Sequence, residues 1–157
     1  AGSHEDYGPE QGKRGWRYGY REGLGGEFRT MEWGMTEWEY RWLAQGRPFL
    51  HHSRDGGEPE GNAASPVYLD RRWSSPQEVR AVLTGRIGCD DKRSDGIDAH
   101  ILVDGKEVFS KTIAGGTAEA LSVPVSLRAG GTVDFLIGPN RETAYDACTL
   151  DLRVMRE

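Results

Sequence analysis

The chain has 157 residues, of which 36% are apolar and 22 are glycine, and a net charge of −5. The acidic balance excludes a general binder of phosphate backbones, which needs a basic face, and no run approaches the roughly 18 apolar residues of a membrane-spanning helix. The length suits one domain with a real core, and the glycine content suggests many short elements joined by tight turns.

Residues 1–10 are polar and carry Gly and Pro, and Ala1-Gly2-Ser3-His4 has the composition of a cloning scar. They read as a tag remnant and flexible N-terminus, followed by a single domain over 11–157. Trp16, Tyr18 and Tyr20 alternate and share one face of a strand. In 28–43, Trp38, Tyr40 and Trp42 alternate against Glu37, Glu39 and Arg41. A helix is tolerated there, but the pattern favours strand or irregular structure. Residues 44–66, punctuated by Gly46, Pro48, Gly56, Gly57, Pro59, Gly61 and Pro66, read as one long loop.

The period of two is clearest further on. Val79, Ala81, Leu83, Ile87 and Cys89 form one apolar face, and Ile97, Ala99, Ile101 and Val103 form another. Asp104-Gly105 closes the second strand with a hairpin signal. The partner strand turns either Val108 or Phe109 inward. Leu121 to Leu127 is a further strand, in which Pro124 suggests an edge or a bulge. Val133 to Ile137 and Cys148 to Val154 complete the set. About eight or nine evenly spaced strands predict an all-β fold, an antiparallel β-sandwich of jelly-roll type.

Cys89 and Cys148 are too few for an ordinary zinc site. They either pair or remain buried thiols; both fall on the apolar parity of their strands.

Several residue groups carry candidate chemistry. Trp33, Trp38 and Tyr40 could stack on sugar rings, with Trp16, Tyr18, Tyr20 and Trp73 read as core. His51, His52, Arg54 and Glu58 share the long segment and could recognise a ligand, although a solvated polar loop explains them as well. Arg71, Arg72 and Arg86 could hold a carboxylate or sulfate, or simply pair with the many acids. Asp90, Asp91, Asp95 and Asp146 could hold a structural calcium, against the plainer reading of Asp as a turn residue. No nucleophile and base stand at a fixed spacing, so an enzyme, a lyase or hydrolase using His51 or His52, is the least favoured reading.

The layout Gln11, Gly12, Gly15, Trp16, Tyr18, Gly19, Tyr20, then Arg71, Arg72, Trp73, Ser75, Pro76, then Asp95-Gly96 and Asp104-Gly105, then Asn140, Tyr145 and Asp146 resembles a known kind of module. It is similar to the jelly-roll modules attached to bacterial polysaccharide lyases, glycoside hydrolases and other secreted carbohydrate-active proteins. Where related modules often read His-Pro in the long segment, this chain reads Glu58-Pro59, and the Cys pair is not part of that layout. The resemblance implies a non-catalytic carbohydrate-binding module, secreted or at the cell surface or in the periplasm. It also implies a polysaccharide or oligosaccharide partner and a neighbouring catalytic domain. The alternative is a spacer or protein-interaction domain of the same fold without a sugar site.

Overall fold

A computed structural model describes all residues, 1–157. The strands, in chain order, are β1 (Trp16–Glu22), β2 (Arg29–Thr30), β3 (Glu32–Met35), β4 (Tyr40–Ala44), β5 (Arg47–His52), β6 (Gly56–Glu58) and β7 (Glu60–Asn62). Then follow β8 (Ser65–Ser74), β9 (Val79–Cys89), β10 (Ile97–Val103), β11 (Lys106–Ile113), β12 (Thr117–Leu127), β13 (Thr132–Pro139) and β14 (Cys148–Arg156). They form two antiparallel seven-stranded sheets. One runs β11-β10-β13-β8-β1-β2, with β7 also paired to β8; the other runs β12-β9-β14-β6-β5-β4-β3. The long strands change sheet at almost every step, from β8 to β9 to β10 and from β11 to β12 to β13 to β14, which is jelly-roll connectivity.

The inward residues are the ones the alternation selects. Leu83, Ile87, Ile97, Ile101, Phe135 and Leu152 are fully buried or nearly so in one cluster of 27 residues between the sheets. Fully burying side chains of this size is worth about 1.5–3 kcal/mol each before entropy is counted. Trp16, Tyr18 and Trp73 join them as expected, while Tyr20 is half-buried. Asp104 and Gly105 take φ of 49° and 81°, the left-handed pair that a two-residue hairpin requires. The register passes from Leu102↔Glu107 to Ile101↔Phe109, so Val108 is a bulged extra residue. That bulge turns Phe109 inward and leaves Val108 in water.

One expectation needs correction. The segment 44–66 is not a loop: it holds β5, β6 and β7. Gly56 and Gly57 make this possible, since a Cβ on Gly56 would lie 1.7 Å from the Cys148 carbonyl oxygen and one on Gly57 would lie 2.3 Å from that of His51. At the N-terminus, Gly2 bridges to Arg153 of β14. Ser3 N–H donates to Leu152 O (2.8 Å) and Val154 N–H donates to Ala1 O (2.9 Å). These bonds fill the edge of β14 beyond the short β6, and Ser3 is fully buried.

Arg71, read as a possible anion binder, is fully buried and structural. It donates to Ser53 O (2.6 Å), Gly56 O (2.8 Å) and Ser3 Oγ (3.2 Å), and lies 5.6 Å from the Tyr18 ring centre. It thus ties the N-terminus and the β5–β6 segment to the opposite sheet. Arg72 faces outward from that opposite sheet. There it bonds Asp134 (2.5 Å), beside a buried Arg21 that holds Asp70 (2.6 Å) and Asp134 (2.8 Å). Burial and the nearby Asp134 charge push the Asp70 carboxyl up from its ordinary value, against the pull of Arg21.

Candidate functional site

The β3–β4 hairpin stands at the far edge of its sheet. Trp33 pairs with Trp42 and Met35 with Tyr40 across it. Its turn is held by one side chain. Thr36 N–H and Thr36 Oγ1 both donate to Glu39 O (2.9 and 2.8 Å), and Oγ1 accepts from Trp38 N–H (3.3 Å) and Glu39 N–H (3.2 Å). Trp38, on that turn, is 78% exposed. An indole held in water on an ordered turn loses little freedom on meeting a ligand.

The two faces of the hairpin differ. On the inner side an aromatic ladder climbs from the core. Tyr18 stacks on Trp42 (5.6 Å, 9°), Trp42 meets Trp33 edgewise (5.3 Å), and Trp33 stacks on Tyr40 (5.8 Å, 3°). Tyr7 leans on Trp33 (5.5 Å). Trp33 is therefore half-buried, and Tyr40, at the top, is 53% exposed.

On the outer side stand Arg41, His51 and Glu58. His51 lies directly opposite Leu43 of β4 and Glu58 of β6, and Arg41 is one pleat further along β4. Arg41 sits 6.0 Å from the Trp38 ring centre and donates to Glu39 Oε1 (2.9 Å). His51 Nδ1–H donates to Phe49 O (2.9 Å), which leaves Nε2 as an acceptor. Burial, aided by the Arg41 charge and opposed by the Phe49 hydrogen bond, pushes the His51 pKa down and so favours the neutral ring. Burial pushes the Glu58 carboxyl up. The exposed Phe49 belongs to the same face.

The structure thus gathers Trp33, Trp38, Tyr40, His51 and Glu58 at one sheet edge. It does not bring in the other candidates. His52 is fully buried beneath the ladder, its Nε2–H donating to Gly19 O (2.8 Å), and burial drives its pKa well down. Arg54 reaches His4 O (3.4 Å), and Arg72 is on the other sheet. Arg86 lines a shallow cleft of about 360 Å³ further along the same sheet, with Asp151, Asp90 and Thr117 but without an aromatic ring. Arg41 and Phe49 were not foreseen. Arg41 alternates with the aromatics and could have been found by parity, whereas nothing beside Pro48 marked Phe49.

The four acids do not converge on a cation. Asp91 is held by Arg93 (2.6 Å), which pulls its pKa down to about 2, and Asp90 accepts from the Thr149 hydroxyl. Asp146 is fully buried, accepting from Ser94 Oγ (2.5 Å) on one oxygen. Its Oδ2 and the Oδ1 of Asp95 are buried without partners. Burial first, then the nearby Asp95, Glu58 and Glu142 charges, push the Asp146 carboxyl up to about 6 despite the Ser94 bond. Calcium takes about six to eight oxygens, and no three His, Cys, Asp or Glu residues are grouped here to hold an ion.

No protein family's model matches the chain, and no curated protein matches it. Solved structures similar to it include a family 35 carbohydrate-binding module from Clostridium thermocellum, at 16% identity and a TM-score of 0.39 over 60% of this chain and 80% of that one. Another is the carbohydrate-binding module CBM36 in complex with calcium and xylotriose, at 14% identity and a TM-score of 0.41 over 88% of this chain and 98% of that one. A third is CBM35 from Cellvibrio japonicus Abf62, at 12% identity and a TM-score of 0.39 over 88% of each chain.

Proposed function

We propose that the chain is a non-catalytic, carbohydrate-binding-type module, and that it holds its sugar at the outer edge of the β3–β4–β5–β6 sheet. The observation that carries this reading is Trp38, exposed on a hydrogen-bonded turn beside Arg41, which shares its sheet face with His51 and Glu58. A pyranose presents a C–H face that stacks on indole, and hydroxyls that need both donors and acceptors. Arg41 supplies donors; His51 Nε2 and Glu58 supply acceptors. A spacer of the same fold would have no use for an indole kept in water on a braced turn.

The sequence layout shared with modules of secreted polysaccharide-processing proteins supports a secreted setting and a tethered catalytic domain. A single small site of this kind binds weakly alone and gains by tethering. The test is a fluorescence titration with neutral and acidic polysaccharides, with and without calcium. A saturable shift for one glycan class, absent in Trp38→Ala at unchanged thermal midpoint, is expected. No shift with any glycan in the folded protein, or an undiminished one in Trp38→Ala, overturns the reading.

A further inference from the structure

Cys89 and Cys148 stand directly opposite each other on β9 and β14, as free thiols on the inner faces of neighbouring strands. Opposed residues in an antiparallel ladder are of two kinds. In one, the two exchange backbone hydrogen bonds; in the other they do not, and their Cα atoms come to about 4.5 Å.

The backbone bonds of the neighbours decide which kind this is. On β14, Leu150 N–H donates to Asp55 O (2.6 Å), Val154 N–H to Ala1 O (2.9 Å), and Leu152 O accepts from Ser3 N–H (2.8 Å). These residues turn their polar groups away from β9, and Cys148 shares their parity. On β9, the Cys89 carbonyl accepts from Gly116 N–H (2.7 Å), on the β12 side. Neither cysteine spends its backbone on the other. The pair is therefore the close, non-hydrogen-bonded kind, whose spacing lies within the roughly 4.4–6.8 Å that a disulfide spans.

In the reduced pair Cys148 Sγ donates to Gly57 O (3.4 Å). Forming the bond turns the Cys148 side chain off Gly57 O, and the strand pairing already sets the two residues opposite each other. Burial raises both thiol pKa values, that of Cys148 to about 12, so neither attacks readily once the sheets have closed. The bond has to form during folding.

We propose that Cys89 and Cys148 are a cross-strand disulfide site, oxidised by thiol–disulfide exchange when the chain folds in the presence of a small-molecule disulfide. One cysteine thiolate attacks the donor's S–S bond, forming a mixed disulfide and expelling one donor thiolate. The other cysteine attacks the protein-bound sulfur and expels the second. Two cysteine thiols and one R–S–S–R become one Cys–S–S–Cys and two R–S–H; the donor is reduced and the protein oxidised.

The bond would join the residue just before the 90–96 loop to the first residue after 140–147. Those loops already hold each other through Ser94 and Asp146 (2.5 Å) and through Asn140 Nδ2–H to Asp95 O (2.9 Å).

The test is refolding of the reduced protein in a glutathione redox buffer, followed by acid quench, intact mass and thiol titration in denaturant. Cys89→Ser and Cys148→Ser are carried alongside. The expected wild-type product has lost two hydrogens, titrates no thiol and regains two thiols with reductant, while each variant keeps one thiol or carries one glutathione. Two titratable thiols, or glutathione adducts on the folded wild type, overturn the proposal. The wild-type mass decides even where a variant fails to fold.

Discussion

Asp146→Asn is the sharpest probe of the loop end of the sandwich. Asp146 is a fully buried carboxylate whose only hydrogen-bond partner is Ser94, near the charges of Asp95, Glu58 and Glu142. Its pKa rises from an ordinary 3.8 to about 6 in the fold. A group raised in this way is protonated in both states below about pH 4 and costs nothing there. As pH climbs towards 6, the unfolded chain has already lost the proton while the folded one keeps it, so stability falls through that window and is flat above it. At about 1.4 kcal/mol per pKa unit, the full penalty at neutral pH is ~3 kcal/mol. Asparagine has the same shape, still accepts from Ser94, and offers N–H donors among carboxylates instead of another charge. The expected gain at neutral pH is about 1–3 kcal/mol, or roughly 3–10 °C in the thermal midpoint for a domain of this size. Urea unfolding across about pH 4 to 7 reads both the gain and the loss of the slope. A variant less stable than wild type at neutral pH, with the slope between about pH 4 and 6 intact, refutes the reasoning: the carboxylate would then have a favourable partner.

Other substitutions test other parts of the fold. Arg71→Met strands the carbonyls of Ser53 and Gly56, and a loss of about 3 kcal/mol or more in urea unfolding is expected. Arg71→Lys should recover only part of it, since one ammonium cannot reproduce the fork. Gly85→Ala places a Cβ 1.9 Å from Asp151 O at a φ of 140°, so the thermal midpoint should fall sharply; an unchanged midpoint would mean that β9 and β14 are not packed as described. Thr36→Val removes the bonds that brace the Trp38 turn; sugar affinity should fall about 2–10-fold in a glycan titration with the indole still present, and no change would deny the brace a role.

What the residues revealed in advance follows their range of interaction. The strands from Val79 to Val154 were legible because alternation is a local signal and each has one buried face. Asp104-Gly105 announced its own turn. The segment 44–66 was misread because Pro48, Gly56 and Gly57 look like breakers. Gly56 and Gly57 are there because other backbones pass too close for a side chain, which only the assembled sheet reveals. The docking of Ser3 depends on Arg71 and Leu152, far along the chain, and carries no local mark. Among the candidate site residues, Trp38 and Tyr40 were recognisable from aromatic spacing. Adjacent His51 and His52 could not be separated until the pleat sent one outward and the other beneath Trp42.

The four outermost strands bear on how copies of the domain coexist. A free strand edge is a template for another chain. Here β11 offers Lys106, Glu107 and Lys111 to solvent and carries the Val108 bulge, while β2 is only two residues long. β12 contains Pro124, which has no N–H to donate, and β3 is four residues with Glu32 exposed. Each rim is charged, interrupted or too short for an extended ladder to grow on it. Such units resist end-to-end fibre growth and strand exchange, so they can be crowded on a surface or strung in tandem and still fold one at a time.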